Sequence, residues 1–323
     1  MKALTQVEQV RDGQLKQITR MISDIADSDL VQGALAGLDK DGAERLKGNP
    51  EFTQSLREFT VRRIGELSVT NQFSNEEVSS TYAYRSGYKP EGEDIDRQVE
   101  LLQKLFPGLG DANPEYLQQV KSGVVKVPTH GEKFFAIPNI WKKGGIPAIF
   151  GSTYSGALQK VLDKIEETRE GKFHNFRKGQ IDEKHIRQSA RTKKFMGELS
   201  EAQGNPDILI ICAQFGIRHR GRSVRRGREV IAGTSGEFGL GAFTIGTMLL
   251  THPNRLEHYD DLWLDCDDEF DDPASDVRFG RSPCFSFSGD KVGFDASYVG
   301  PADECYGVSS GFPPQIVPCT SNP

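Results

Sequence analysis

Ile208-Leu209-Ile210-Ile211-Cys212 is a run of five apolar residues opened by Asn205-Pro206-Asp207 and followed, from Arg218, by a dense block of charge. A short apolar run bounded by turn formers predicts a strand. Its unbroken rather than alternating character predicts that both faces of the strand are covered. A strand covered on both faces needs a layer above and a layer below, which places the chain among the α/β or α+β folds. The expectation is a helical N-terminal region, residues 1–123, followed by a mixed α/β domain, residues 124–323, with the central buried strand near residues 208–212.

The flanking patterns give that architecture its elements. Apolar residues recur at helical spacing from Leu4 to Ile25 and from Phe52 to Leu67, and Asp27-Ser28-Asp29 opens a new helix between them. Ser74-Asn75-Glu76-Glu77 has the form of a capping box. Residues Glu93–Phe106 and Asn113–Val120 read as two more helices, the second with Pro114 in its first turn. Val124–Val127 and Phe134–Ile137 read as strands, Tyr154–Thr168 and Glu183–Ala202 as helices. Ala242–Leu250 reads as an apolar helix, Leu262–Leu264 as a strand, and Cys284–Phe294 as a hairpin turning at Gly289-Asp290. The proline-rich tail from Gly311 to Pro323 is expected to be irregular.

Composition narrows the class. With 323 residues, 36% hydrophobic residues and a formal net charge of -6, the chain is expected to be a soluble folded protein. Neither an apolar leader nor a membrane-length apolar run is read, so no membrane partner is expected. Five cysteines, odd in number and with no C-x-x-C pair, argue for a reducing, cytoplasmic setting. An acidic balance makes whole-surface binding of nucleic acid a poor expectation.

Against that balance, residues 218–228 hold six arginines and no lysine. Guanidinium forks fit phosphate or carboxylate in a bidentate fashion, so Arg218, Arg220, Arg222, Ser223, Arg225, Arg226 and Arg228 form a candidate anion site. The expected partner is nucleic acid or a phosphorylated ligand. Gly216 to Ser223 also has the spacing of a phosphate loop, with Arg222 where that motif needs lysine. Arginine is not equivalent there, and Ile217-Arg218-His219-Arg220 crowds a backbone that must wrap a phosphate. Gly227 and few apolar residues argue against a helix after it.

A second charge block answers the first. Residues 257–272 carry nine acidic residues and no lysine or arginine. Within it, strand alternation turns Asp265 and Asp267 to one side, a candidate pair for Mg²⁺ or Mn²⁺, with His252 and His258 nearby in sequence. Three functions are therefore expected: binding of a phosphate-bearing partner through the arginines; metal-dependent phosphoester hydrolysis by Asp265 and Asp267 with the same arginines; or a structural or assembly role in which the basic and acidic blocks pair within a subunit or between the subunits of a homo-oligomer. The glycine-rich stretch 233–241 before a helix is a lesser anion candidate, and Cys212 with His219 a lesser nucleophile pair.

Overall fold

A computed structural model describes residues 20, 29–46, 49–50, 71–89 and 94–316. The chain divides into two compact units, Met1–Val61 and Arg62–Pro323. In the first unit the described helices are α1 (Asp29–Ala36) and α2 (Lys40–Leu46). The helices read at Leu4–Ile25 and Phe52–Leu67 lie outside the described residues, as does the tail beyond residue 316, save that Arg20 is described as helical. Everything below concerns the second unit, a mixed α/β fold.

It opens with α3 (Ile95–Leu105), started by Asp94, whose side chain accepts from the Asp96 amide at 3.1 Å. Ile95, Val99 and Leu102 form its buried stripe, packed on the strand β2 introduced below. Next comes α4 (Pro114–Lys121), with Asn113 capping the Tyr116 amide at 3.0 Å and Pro114 in the first turn, where a missing N–H costs nothing. Both helices belong to the unit Arg62–Pro323.

One sheet is built around the apolar run. Strand β5 (Ile208–Gln214) is buried along its whole length and pairs antiparallel with β2 (Lys133–Pro138) on one side. On its other side lies β12 (Ser310–Phe312), which in turn pairs with β6 (Phe238–Gly239). The short pair β1 (Val125–Lys126) and β13 (Gln315–Ile316) stands apart. The tail is thus strand at residues 311–312 and 315–316 rather than irregular there. A buried strand needs partners for its backbone on both sides, and β2 supplies one to β5 while the tail supplies the other.

The second sheet runs in the order β11 (Tyr306–Val308), β7 (Trp263–Asp265), β9 (Arg281–Ser288), β10 (Lys291–Tyr298), β3 (Phe173–Asn175). The β9–β10 hairpin turns at Gly289-Asp290, both with positive φ, as expected for a tight two-residue turn. A branch adds β8 (Glu269–Phe270) and β4 (Ile186–Arg187). Helix α5 (Tyr154–Thr168) and the wholly buried α8 (Ala242–Thr251) pack together in the core. At Gly246 they approach so closely that a Cβ would meet Val161 at 2.8 Å and Phe285 of β9 at 3.4 Å.

Three local expectations are overridden by long-range pairing. Helix α6 begins at Ala190 and ends at Ala202 rather than starting at Glu183, because Ile186 and Arg187 pair with Phe270 and Glu269 as strand before Ser189 caps the helix. Residues Ser74–Glu77 form turns and a bridge to Arg222 in place of a helix start. Val224–Gly233 is a helix, α7, despite Gly227, since the missing side chain lets α7 sit on β11: a Cβ there would meet Val308 at 2.5 Å. Among the described residues no helix is long and apolar enough to cross a membrane.

The corner between β5 and the arginine stretch depends on Gly216. Its φ is 99°, and a Cβ on it would lie 2.6 Å from the Gly307 carbonyl oxygen, a backbone atom with nowhere to go. Gly216→Ala is expected to cost at least about 2 kcal/mol, from left-handed strain plus that clash. A urea unfolding midpoint unchanged from the parent chain would contradict this.

Candidate functional site

The arginine stretch leaves β5 through Gly216, makes one turn of 3-10 helix at Ile217–His219, and enters α7 behind the cap Ser223, whose Oγ accepts from the Arg226 amide at 3.1 Å. Its backbone amides are engaged inside the chain. Gly216 and Arg218 donate to the Gln214 side chain, Gly221 to the Tyr306 carbonyl, Ser223 to Glu76 and Arg225 to Val299. A phosphate loop needs those amides turned toward a ligand. Here they bind the stretch to its own protein.

The side chains are similarly committed. Arg218 Nε lies 3.2 Å from both oxygens of Glu237, whose side chain is fully buried. His219 Nε2 lies 2.7 Å from Glu237 Oε1, and its Nδ1 lies 2.8 Å from an Arg222 nitrogen. A guanidinium can only donate, so Nδ1 accepts, and the imidazole is neutral with its proton on Nε2, directed at Glu237. Burial pushes the His219 pKa down against the opposing pull of Glu237, in agreement with that tautomer. Burial pushes Glu237 up, but the hydrogen bonds from His219 and Ser310 and the charge of Arg218 hold it below the usual carboxylate range. Ser310 donates to Glu237 at 2.6 Å and accepts from Gln214 at 2.9 Å, which ties the cluster back to β5 and β12.

The remaining arginines continue the pattern. Arg222 and Arg226 share Glu77, with Nε to Oε1 distances of 3.3 and 2.5 Å, and Arg226 also reaches Glu229 at 2.9 Å. Arg225 grips Glu76 from Nε at 2.8 and 2.7 Å, Arg220 donates to the Tyr82 carbonyl at 2.8 Å, and Arg228 lies 3.4 Å from Asp267 Oδ1. Five of the six arginines thus face a carboxylate of their own chain. Asp267 is the one member of the acidic block among these partners.

The acidic block is dispersed in the same way. Asp261 accepts from the amides of Arg85, Ser86, Glu257 and His258. Glu269 pairs with Arg187, Asp271 with Arg278, and Asp272 with Arg177 and Arg281. Asp268 accepts from Tyr154 Oη at 2.5 Å and from the Ala242 amide at 2.7 Å. The N-terminus of α8, the lesser anion candidate, is thereby capped by a carboxyl of the protein itself. Asp267 accepts from Thr192 at 2.8 Å. Asp265 is buried, with Oδ1 lacking a hydrogen-bond partner. Among the described residues no group of three or more His, Cys, Asp or Glu is gathered to hold a metal ion, so Asp265 and Asp267 have no further ligand of that kind for Mg²⁺ or Mn²⁺. Cys212 is buried in β5 with its thiol pushed up to about 12 by burial, and both ring nitrogens of His219 are engaged elsewhere.

A cleft of about 950 Å³ lies on another part of the unit, between the segment 140–155 and residues 183–201. Trp141 lines it, its ring nitrogen donating to Gln188 at 2.8 Å and its ring edge-on to Phe243. Lys142, Arg187, Lys193 and Lys194 line it beside Glu183, Glu198 and Glu201, with Lys142 paired to Asp207, Arg187 to Glu269 and Lys194 3.8 Å from Glu198. Ser152, Thr153 and Ser155 set the start of α5 in its wall, with Thr153 Oγ1 capping the Gly156 amide at 3.0 Å and the helix dipole favouring negative charge. Through Arg187, Gln188 and Ala190 it adjoins a second cleft of about 510 Å³ lined by Arg191, Arg228 and Asp267. Of the expected site residues, then, Arg228 and Asp267 line this second cleft. The residues of the larger cleft were not anticipated. The signal in the sequence is the basic density of Lys184 to Lys194, which is inconspicuous while Glu183–Ala202 reads as one helix.

No protein-family model matches this chain, and neither does any curated protein or solved structure.

Burial raises the Asp265 pKa to about 7 against the pull of Arg228, so the folded state keeps its proton at pH values where the unfolded chain has lost it. A carboxyl with a raised folded pKa contributes stability below the unfolded value, near 4, and loses it as pH rises toward the folded one. Asp265→Asn mimics the protonated form and does not titrate. Its stability relative to the parent chain is expected to improve by about 1.4 kcal/mol per pH unit between about pH 4 and pH 7. Parallel stability–pH curves for the two chains would contradict the assignment.

Proposed function

We propose that this protein binds a small phosphate-bearing ligand in the cleft between Trp141 and α6, and that the arginine stretch is the bracket holding the fold beside it. The observation that carries the reading is the cleft itself: about 950 Å³, with an indole in its wall and Lys142, Arg187, Lys193 and Lys194 around it. That volume suits a single nucleotide-sized molecule, with the indole against an apolar or aromatic portion and the basic groups on the phosphate. Lys193 and Lys194 are exposed on the first turns of α6, placed to close on an anion as rim charges. Arg187 holds Glu269 and stacks over the Phe279 ring at 3.6 Å, so its guanidinium is oriented before a ligand arrives. A nucleic acid remains a partner by the same chemistry, entering with one nucleotide.

A structural role for the arginines is supported by a separate observation, their in-chain pairing with Glu76, Glu77, Glu237 and Asp267, of which Asp267 alone belongs to the acidic block expected to answer them. The two readings are compatible, since they use different residues.

Thermal unfolding in the presence of a nucleoside monophosphate, with inorganic phosphate as a control, tests the ligand reading. At 100 times the dissociation constant the ligand contributes about 2.7 kcal/mol, enough to raise the Tm by several degrees. The shift is expected to vanish in Lys193→Ala/Lys194→Ala and to shrink in Trp141→Ala. No shift at millimolar ligand, or an equal shift in the lysine variant, overturns the reading.

A further inference from the structure

The arginine contacts fall into two kinds. Glu237 is fully buried under Arg218 and His219, whereas Glu76 and Glu77 sit on a surface strap. Of residues 71–80, none is buried. The strap has no helix and no strand beyond a single bridge between Glu77 and Arg222. Two backbone bonds tie it to the arginine stretch, Val78 N to the Gly221 carbonyl at 2.7 Å and Ser223 N to the Glu76 carbonyl at 3.1 Å. Gln72 N adds a bond to Glu229 at 2.9 Å. Downstream the anchoring changes. Tyr84 and Tyr88 direct their hydroxyls at the buried Glu132, and the amides of Arg85 and Ser86 bind Asp261. The strap is thus fixed in the core downstream and, along residues 71–80, held at the surface by ion pairs and a few hydrogen bonds, among them Ser80 Oγ to the Glu304 carbonyl and Arg226 to Asn71.

We infer that Glu76 and Glu77 are in-chain occupants of an anion site built by Arg222, Ser223, Arg225 and Arg226, and that a ligand carrying neighbouring phosphates displaces them. The geometry is that of anion recognition. Arg225 takes the Glu76 carboxylate in a bidentate fork at 2.8 and 2.7 Å, with its guanidinium 4.7 Å from the centre of the Phe73 ring. Ser223 Oγ, at the N-cap of α7, donates to the same carboxylate at 2.6 Å. Arg222 and Arg226 converge on the next carboxylate, Glu77. Two carboxylates from adjacent residues thus fill two neighbouring arginine seats, so a ligand that displaces both carries two linked anionic groups. Removing them leaves three arginines against Glu229.

Magnitudes favour exchange here and permanence at Glu237. The strap's ion pairs are partly open to solvent at Arg225 and Glu77, and such pairs contribute nearer to about 1 kcal/mol each than to the about 3–5 kcal/mol lost when a fully buried carboxylate such as Glu237 is deprived of its partner. Each phosphate brings more charge and more acceptor oxygens than a carboxylate, which favours the incoming ligand. The tethered strap competes at an effective concentration in the millimolar range, so the intact chain binds such a ligand weakly. The site lies apart from the Trp141 cleft and stands or falls independently of it.

The test uses inorganic tripolyphosphate and the full chain. Glu76→Gln/Glu77→Gln is expected to bind tripolyphosphate at least ten times more tightly than the parent in calorimetry, and Arg225→Ala/Arg226→Ala in that background is expected to abolish the gain. In the parent chain, saturating tripolyphosphate should speed amide hydrogen exchange at Gln72 and Val78, and should still do so in Lys193→Ala/Lys194→Ala, which disables the cleft. A folded glutamine variant that binds no more tightly than the parent overturns the inference. If that variant does not fold, the exchange measurement decides: unchanged or slower exchange at Gln72 and Val78 overturns it, and faster exchange supports it.

Discussion

The carboxylate of Glu237 is the point on which the rest of this structure turns. It lies fully buried, and burying a charge without partners is prohibitively costly. Arg218, His219 and Ser310 supply the partners, and each brings a different part of the chain with it. Arg218 and His219 fix the corner at the end of β5, Ser310 fixes β12 beside it, and the Glu237 carbonyl accepts from Arg191 of α6 at 2.9 Å. Arg191 also reaches the carbonyls of Ile231 and Ala232, so one cation closes the C-terminal end of α7, where carbonyls lack helical partners. Without this cluster the arginine stretch would have no reason to run where it does.

That arrangement explains how an acidic protein carries so concentrated a block of arginine. The positive charge is met locally by Glu76, Glu77, Glu229, Glu237 and Asp267. These carboxylates come from both sides of the stretch in sequence. The acidic run 257–272 serves other ends: capping α8, binding the turn at Asp261, and pairing with Arg177, Arg187, Arg278 and Arg281. Two opposite blocks in a sequence therefore need not answer each other. Here each is divided among many short contacts, and Arg228 with Asp267 is the contact they share among the ion pairs of the described residues.

Much of the fold was legible where the signal was local. The apolar run at 208–212 proved to be the heart of its sheet, Tyr154–Thr168 has the predicted bounds, and the turn at Gly289-Asp290 is where its residue types require. Expectations failed where a distant partner outweighed local preference. Glu76 and Glu77 have the form of a helix start, yet Arg225 and Arg226, 149 residues away, take their carboxylates, and Glu77 bridges to Arg222 instead. Ile186 and Arg187 fit a helix, yet β8 offers them a strand. Residues 310–316 look like a loose tail, yet β5 needs a neighbour. The cleft was invisible for the same reason: its tryptophan and its basic residues come from separate segments, none of them conspicuous alone. The arginines announced themselves, but no sequence pattern says that a charge is already paired.

The central claim is that the arginine stretch is bound to its own protein through Glu237, and a double-mutant cycle measures it most directly. Unfolding in urea would be compared for the parent, Arg218→Met, Glu237→Gln and the double variant. Glu237→Gln is expected to cost about 3 kcal/mol or more, and the coupling between the two changes to reach about 2 kcal/mol, because Arg218→Met deprives the buried carboxylate of a partner and Glu237→Gln leaves the half-buried guanidinium facing a neutral amide. Additive effects, or a Glu237→Gln chain as stable as the parent, would contradict the account.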